Sequence, residues 1–317
     1  MSTQAEARPG VPVSGATAAA LRAQQMSRRS QRLVADIATH VILIAFVIFA
    51  LFPIYWVVSA SFKPREEVFS TELYLFPRTF TLENYVHVTT ISAKVTTKEG
   101  SYDTNLFLRW LLNSVVVAAA TTLIGVLFAA TASYALSRFR FLGRSGILAT
   151  FLITQMFPGA ILIIPLYNLL NQFGLLNTWG GLVLAYCTIA LPFSVWMLKG
   201  FFDTIPLDLE EAAMVDGTTP VGAFWRIILP LTLPGIAVVA FFNFMTSWNE
   251  FLLAFTFMSS DINYTLPVGL RTFISQFDAQ WQYMAACAVI ITVPVMIGFF
   301  FTQKYLVGGL TAGGVKG

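Results

Sequence analysis

Six apolar runs, each of a length to cross a bilayer, constrain this chain before any motif is considered. They are Ile37 to Ser61, Leu111 to Leu136, Ile147 to Leu170, Gly181 to Leu198, Leu233 to Phe257 and Met284 to Leu306. A hydrocarbon core about 30 Å thick takes roughly 20 residues of helix, and in lipid only helices and closed barrels satisfy their own backbone. Composition agrees, since only 11% of the residues are charged, against about 25% in a soluble domain. The expected fold class is all-α, a polytopic membrane protein with six transmembrane helices. The first run is too long for the apolar core of a secretory signal peptide and no small-residue cleavage site follows it. It is expected to remain as an anchor.

Orientation follows from Lys and Arg. With the amino terminus inside, the inner segments carry twelve of them: Arg8, Arg22, Arg28, Arg29, Arg32, Arg138, Arg140, Arg144, Lys199, Arg226, Lys304 and Lys316. The outer segments carry seven, six of them in the loop from Phe62 to Trp110, where acidic residues are equally many. Both termini are therefore expected in the cytoplasm, with the chain a multi-pass protein of the cell (inner) membrane in contact with lipid.

Several function classes drop out. The net charge is +3 and the basic residues are scattered, so there is no electrostatic footprint for nucleic acid. Two histidines, His40 and His87, are too few for a histidine metal site, and Cys187 and Cys287 lie inside apolar runs as small hydrophobes. None of the six lysines closes a glycine-spaced phosphate loop. If ATP drives anything here, another subunit binds it.

The most informative stretch lies between the fourth and fifth runs, Phe201 to Leu231, with acids at Asp203, Asp208, Glu210, Glu211 and Asp216. Pro206 suits the start of a helix over Leu207 to Val215, with carboxylates near its positive end, and Gly217 suits a left-handed stop. Thr219 as cap and Pro220 at the first helical position predict a second short helix through Phe224 and Ile227, ended by Pro230. An acidic two-helix knuckle suits a protein partner better than an anionic lipid surface.

Within it, Glu211, Ala212, Ala213, three residues, Gly217, nine residues, Ile227, one residue, Leu229 and Pro230 match in full the EAA signature of the membrane subunits of binding-protein-dependent ATP-driven importers. Seven fixed positions at roughly 7% usage each arise by chance well under once in a million windows. The resemblance implies the type I ABC importer permease fold, with this loop as the coupling helix that docks on an ABC ATPase dimer. Glu211 would meet a basic side chain there, Ala212 and Ala213 would let the partner surface come close, and Asp216 and Gly217 would form the turn. ATP and Mg would then be bound by partner subunits, with no cofactor and no catalytic residue in this chain.

The carboxyl end, Gly309 to Gly317, together with Gln155 Met156 Phe157 Pro158, Leu198 Lys199 Gly200 and Asp261 to Leu270, resembles the smaller permease subunit of maltose and maltodextrin importers. That resemblance implies a heterodimer with a second, larger permease subunit, an extracytoplasmic sugar-binding protein, and a glycine-rich tail reaching between the two ATPases. The chain then divides into a mobile cytoplasmic tail at 1–35, the first transmembrane helix at 36–62, an extracytoplasmic loop at 63–110, a permease core at 111–306 with coupling helices at 203–230, and a cytoplasmic tail at 307–317.

Polar residues that lipid would reject mark candidates for the solute path. Asn243, Ser247 and Glu250 fall at i, i+4 and i+7 of the fifth run with Thr246 and Asn249 beside them, one stripe of a continuous helix. An intramembrane carboxylate is costly in hydrocarbon, so Glu250 is either functional or a hydrogen-bonded clamp. Trp248 and Tyr264 carry flat faces suited to sugar C–H groups. The outer loop from Ser259 to Gln282 resembles the segment that the maltose-type subunit inserts into its binding protein, with Ser260, Asp261, Asn263 and Tyr264 nearest that event. Membrane prolines at Pro158, Pro165, Pro192, Pro234 and Pro294 permit bends. The rival from another class is a carrier coupled to protons through Glu250, whose folds usually carry internal repeats; none is visible here.

Overall fold

The computed structural model describes residues 15–97, 100–156, 159–274 and 279–314, and side chains for 34–94, 103–156, 159–274 and 279–305. The chain divides after Trp56 into two units. Helix α1 (Gly15–Ser61) supplies the described residues of the first and the opening turn of the second. Every side chain from Val34 to Ile54 is exposed, and most are apolar, as expected of a helix bathed in lipid. Of the tail expected over residues 1–35, residues 1–14 lie outside the described ones and the rest is helix from Gly15. Its Ala, Gln and Arg residues are strong helix formers, whatever their lack of apolar periodicity.

In the second unit the segment at 63–110 is structured among its described residues. It holds α2 (Arg65–Val68), α3 (Glu83–Thr90) and an antiparallel hairpin of β1 (Ser92–Thr97) and β2 (Gly100–Asn105), with Ser92 opposite Asn105 and Thr97 opposite Gly100. The rest is helical: α4 (Leu106–Arg138), α5 (Arg144–Met156), α6 (Ile163–Gln172), α7 (Trp179–Asp203), α8 (Asp208–Val215), α9 (Pro220–Ala223), α10 (Leu229–Leu231), α11 (Leu233–Asn249), α12 (Leu252–Phe257), α13 (Leu266–Leu270) and α14 (Trp281–Gly314). Asn105 starts α4 by accepting the Leu108 amide at 2.8 Å, and Thr178 starts α7 by accepting that of Gly181 at 3.1 Å.

Helix α4 packs on α7 and α11 at the centre of the unit. Its buried side is built from small residues, Ala118, Gly125, Ala129, Ala130 and Ser133, which let neighbouring backbones approach where lipid offers no hydrophobic drive between helices. At Gly125 the fit is close, since an added β-carbon would lie 2.8 Å from Asn243 Nδ2. Three apolar clusters are strung along this trio. One holds Trp110, Trp248, Leu266 and Phe273, the next Val117, Tyr186, Leu253 and Phe257, and the last Tyr134, Leu198, Phe202, Phe224 and Ile228.

Among the described residues four helices are long and apolar enough to cross a membrane: Val34–Ser61, Leu106–Arg138, Trp179–Asp203 and Trp281–Tyr305. Two bent pairs bring the number to six if each counts as one span. Arg144–Met156 meets Gly159–Gln172 at 100°, and Pro220–Leu231 meets Leu233–Asn249 at 77°. The third span, expected from Ile147 to Leu170 with prolines that permit bends, is thus a bent one. Its sequence places Pro158 and Gly159 at the break, the first of which removes a helix donor; Phe157 and Pro158 lie outside the described residues. The fifth run is corrected, because α11 stops at Asn249 and Glu250 adopts an extended backbone before α12 begins. At the carboxyl end the helix continues through Gly314, eight residues into the expected 307–317 tail, and residues 315–317 lie outside the described ones.

Candidate functional site

The knuckle between α7 and α11 forms from local chemistry. Helix α8 carries Asp208, Glu210 and Glu211 in its first turn, where carboxylates face the free amides. It ends on Gly217 at φ +86°, with the Gly217 amide bonded to the Met214 carbonyl and the Thr218 amide to that of Ala213, both at 3.0 Å. A side chain with a β-carbon would strain that turn although the space around Gly217 is open. Thr219 Oγ1 then accepts the Gly222 amide at 3.1 Å, and Pro220 opens α9 as the sequence predicts.

Beyond α9 the chain departs from the expected plain helix. Phe224 to Ile228 wind into a π-helical turn, and Pro230 does not stop the segment but sits inside α10, which ends at Leu231. The turn seats Phe224 against Tyr134 with ring centroids 4.6 Å apart, while Ile228 is fully buried. An extra residue in the turn re-aims side chains toward that cluster.

The signature residues divide between two faces of α8. Glu211 and Ala212 are exposed, with Leu209, Met214 and Val215 beside them, whereas Glu210 and Ala213 point inward and are buried. The expectation that Ala213 borders a partner is therefore corrected: its small side chain permits packing inside this chain. Asp216, Gly217 and Pro230 are exposed, and Ile227 and Leu229 are half-buried. Glu210, which the sequence reading passed over, accepts hydrogen bonds from Arg138 Nε and, at 3.0 Å, from Tyr134 Oη.

The stripe on α11 does not form the wet path expected of it. Asn243 is fully buried, and its Oδ1 accepts from Ser194 Oγ of α7 at 2.7 Å. Ser247 is buried too and returns its hydroxyl to the Asn243 carbonyl at 2.9 Å. Asn243 therefore ties α11 to α7 and packs on Gly125 of α4, whereas the Ser247 bond stays within α11. Asn249 is exposed, its side chain folded back on the Met245 carbonyl at 2.8 Å. Glu250 leaves the stripe because the helix has ended. Its carboxylate accepts the Leu253 amide at 2.8 Å and the Ala254 amide at 3.1 Å, at the start of α12. Trp248 is 1% exposed and belongs to the core, so its face is not available to a solute.

The loop that follows α12 is pinned by hydrogen bonds over the stretch from Ser259 to Leu266. Asn177, in the left-handed region at φ +58°, donates its amide to the Phe257 carbonyl at 2.9 Å and accepts the Ser259 and Ser260 amides at 3.1 and 3.2 Å. Asn263 Nδ2 returns a bond to the Asn177 carbonyl at 2.9 Å. From α4, Trp110 Nε1 donates to the Asp261 carbonyl at 2.7 Å, and Asn113 Nδ2 to those of Ile262 and Tyr264, both at 2.8 Å. Ser114 Oγ accepts the Leu266 amide at 2.7 Å. Asp261 is exposed, while Ser260, Asn263 and Tyr264 are half-buried. Burial and the nearby Asp261 carboxylate push the Tyr264 phenol above its ordinary range, so it keeps its proton at neutral pH. Asn177, Asn113, Ser114 and Trp110 escape sequence reading because their partners lie about 80 to 150 residues away.

Residues 121–311, more than half of the chain, match the family described as binding-protein-dependent transport system inner membrane component. The chain is 40% identical to the maltose/maltodextrin transport system permease protein MalG of Vibrio vulnificus, over 88% of this chain and 95% of that one. It is 38% identical to the trehalose transport system permease protein SugB of Mycobacterium tuberculosis, over 85% and 93%. A crystal structure of a bacterial ABC transporter involved in the import of the acidic polysaccharide alginate has the same fold, with a TM-score of 0.73 at 22% identity, covering 87% of this chain and 98% of that one. With a family match across its core and relatives aligned along nearly their whole length, this chain belongs to the inner membrane components of binding-protein-dependent transport systems, the permeases of ABC importers.

Proposed function

We propose that this chain is the smaller of two permease subunits in an importer driven by a separate ATPase dimer, carrying maltose, maltodextrin or a similar neutral sugar into the cytoplasm. The observation that carries the reading is the exposed face of α8, where Glu211 stands among Leu209, Met214 and Val215 on a helix fixed from behind. Apolar side chains left in water beside a carboxylate fit a protein groove lined with a basic residue better than bulk solvent. The names of two relatives, one for maltose and one for trehalose, support sugar as the cargo. ATP and Mg belong to the ATPases, and both termini face the cytoplasm with α8.

The loop around Ser260, Asp261, Asn263 and Tyr264 is the part that meets an extracytoplasmic sugar-binding protein. Held at both ends by Asn177 and Asn113, it reaches that partner already shaped, which lowers the ordering cost of docking. Asn243 acts as an interhelical tie near the path, with Ser247 braced on its own helix, and the larger subunit supplies most of the solute contacts.

The test is reconstitution. Proteoliposomes holding the two permeases, the ATPase and a loaded binding protein are expected to accumulate labelled maltose only with ATP inside. This chain alone, given a proton gradient, is expected to accumulate none; uptake by it alone would overturn the assignment in favour of a carrier. Competition by unlabelled trehalose or a glycerol phosphodiester against maltose ranks the cargoes. The capping geometry of Glu250 adds a second expectation. In Glu250→Gln the amide oxygen still accepts one of the two backbone donors, so the change costs about 1.5 to 3 kcal/mol of local stability, and ATP-driven uptake per assembled transporter is expected to stay near wild type. Collapse of uptake in that variant, with the assembly intact, would mean that the carboxylate charge itself handles solute or protons.

A further inference from the structure

Docking on the exposed face of α8 leaves open how a push there reaches the spanning helices. The inner face of the same helix carries a second carboxylate, Glu210, which is one residue before Glu211 and turned about 100° from it around the axis. Glu210 is 6% exposed. It pairs with Nε of Arg138, the last residue of α4, and the side chains of the two are 7% and 8% exposed. Its other oxygen accepts from Tyr134 Oη, one turn earlier on α4, at 3.0 Å.

Arg138 is held in turn. Its Nη2 donates to the Ile205 carbonyl at 3.0 Å, in the link between α7 and α8. The adjacent Ser137 donates to Asp203 Oδ1 at 2.6 Å, and Asp203 Oδ2 takes Lys199 Nζ at 2.5 Å. The Tyr134 ring packs edge-on to Phe202 with centroids 6.0 Å apart and lies 4.6 Å from that of Phe224, so α7 and the π-helical turn close on the same point.

A buried ion pair is a poor choice for stability alone, because apolar residues of similar volume commonly hold as well or better. What this pair adds is direction. Two oxygens of one carboxylate are taken by donors one turn apart on a single helix, which fixes both the rotation of α8 and its register along α4. An apolar contact would slide.

We propose that Tyr134, Arg138 and Glu210 form a positioning clasp that makes the coupling helix and α4 move as one body. Displacement of α8 by the ATPases is then delivered to a spanning helix instead of being absorbed in the loop. The clasp rests on the reading of α8 as the coupling helix, and its failure is distinguishable from failure of that reading.

The experiment uses the whole transporter in proteoliposomes and reads three quantities: ATPase retained with a tag on this chain, ATP hydrolysed, and labelled maltose taken up per ATP. Glu210→Gln is expected to keep the ATPase bound, since the outer face is untouched, and to keep hydrolysis. Sugar per ATP is expected to fall by about fivefold or more, the lower end of ordinary coupling between sites. Tyr134→Phe, which removes one hydroxyl, is expected to fall less. The exchanged pair Arg138→Glu with Glu210→Arg is expected to recover much of what either single change loses.

Unchanged sugar per ATP in both Glu210→Gln and Tyr134→Phe would overturn the clasp while leaving the docking reading standing. Loss of the ATPase from Glu210→Gln would also overturn it, by showing that Glu210 only supports the docking face. Retention of the ATPase by Glu211→Lys would instead sink the docking reading, whatever the clasp does.

Discussion

Glu211→Lys is expected to purify as an inserted permease stripped of ATP hydrolysis. The carboxylate is exposed and makes no hydrogen bond or ion pair through its side chain among the described residues. Its replacement therefore removes nothing from the fold. A surface change of this kind stays within about 0.5 kcal/mol, and a lysine in the first turn of α8 adds a few tenths through the helix dipole. At the proposed interface the balance differs. Truncating one partner of a desolvated charge pair costs about 2 to 5 kcal/mol, and each 1.4 kcal/mol is tenfold, so docking should weaken by roughly 30- to 4,000-fold.

Tagged protein extracted in mild detergent and assayed for bound ATPase by stoichiometry measures the loss. Glu211→Gln separates charge from shape, because it keeps the side chain's volume and leaves only the basic partner unsatisfied; it should lose less than the lysine variant. An ATPase retained at wild-type stoichiometry in Glu211→Lys would put the docking face elsewhere on the chain.

The two carboxylates at the start of α8 mark where sequence reading succeeds and where it stops. Gly217, Thr219 and Pro220 are local punctuation, and each does in the structure what its backbone chemistry predicts, whereas Pro206, expected to open α8, lies two residues before it. Which of Glu210 and Glu211 faces inward is not local, because it depends on Arg138, 72 positions away on α4. Helical periodicity says only that the two point apart. The π-helical turn is equally opaque, since it answers to Tyr134 and Phe202 rather than to any residue within it.

Spans were legible by length, and their breaks less so. The bend after Met156 is written as Pro158 and Gly159. The break at Glu250 has neither proline nor glycine, and the apolar run resumes at Phe251, so periodicity carried the helix straight through. The signal was the polar pair Asn249 and Glu250, whose side chains turn back on backbone groups and so compete with the helix ladder. The amino-terminal helix was missed for the opposite reason: composition suggested a tail, while residue-by-residue propensity favours a helix.

Trp110→Ala is expected to be the most destabilising single change in the outer half of the second unit. The indole is 1% exposed, sits in the cluster of Trp248, Leu266 and Phe273, and is covered by Gly269, where any β-carbon would run into the ring. Emptying such a site costs about 3 to 5 kcal/mol. The hydrogen bond from Nε1 to the Asp261 carbonyl is the smaller part, about 0.5 to 1.5 kcal/mol, and the freed carbonyl borders an exposed residue and can take water. Trp110→Phe isolates that part, because it keeps a ring against Gly269 and loses the donor. Thermal denaturation of the purified complex should therefore rank wild type above Trp110→Phe and place Trp110→Ala far below both. Limited proteolysis between Ser259 and Ile274 should follow the same order, since the loop loses the tie that holds it to α4. If the loop works on the binding protein as a preformed probe, stimulation of ATP hydrolysis by loaded binding protein will fall in Trp110→Ala more steeply than basal hydrolysis does. Equal loss of basal and stimulated rates would assign the loop to the fold alone.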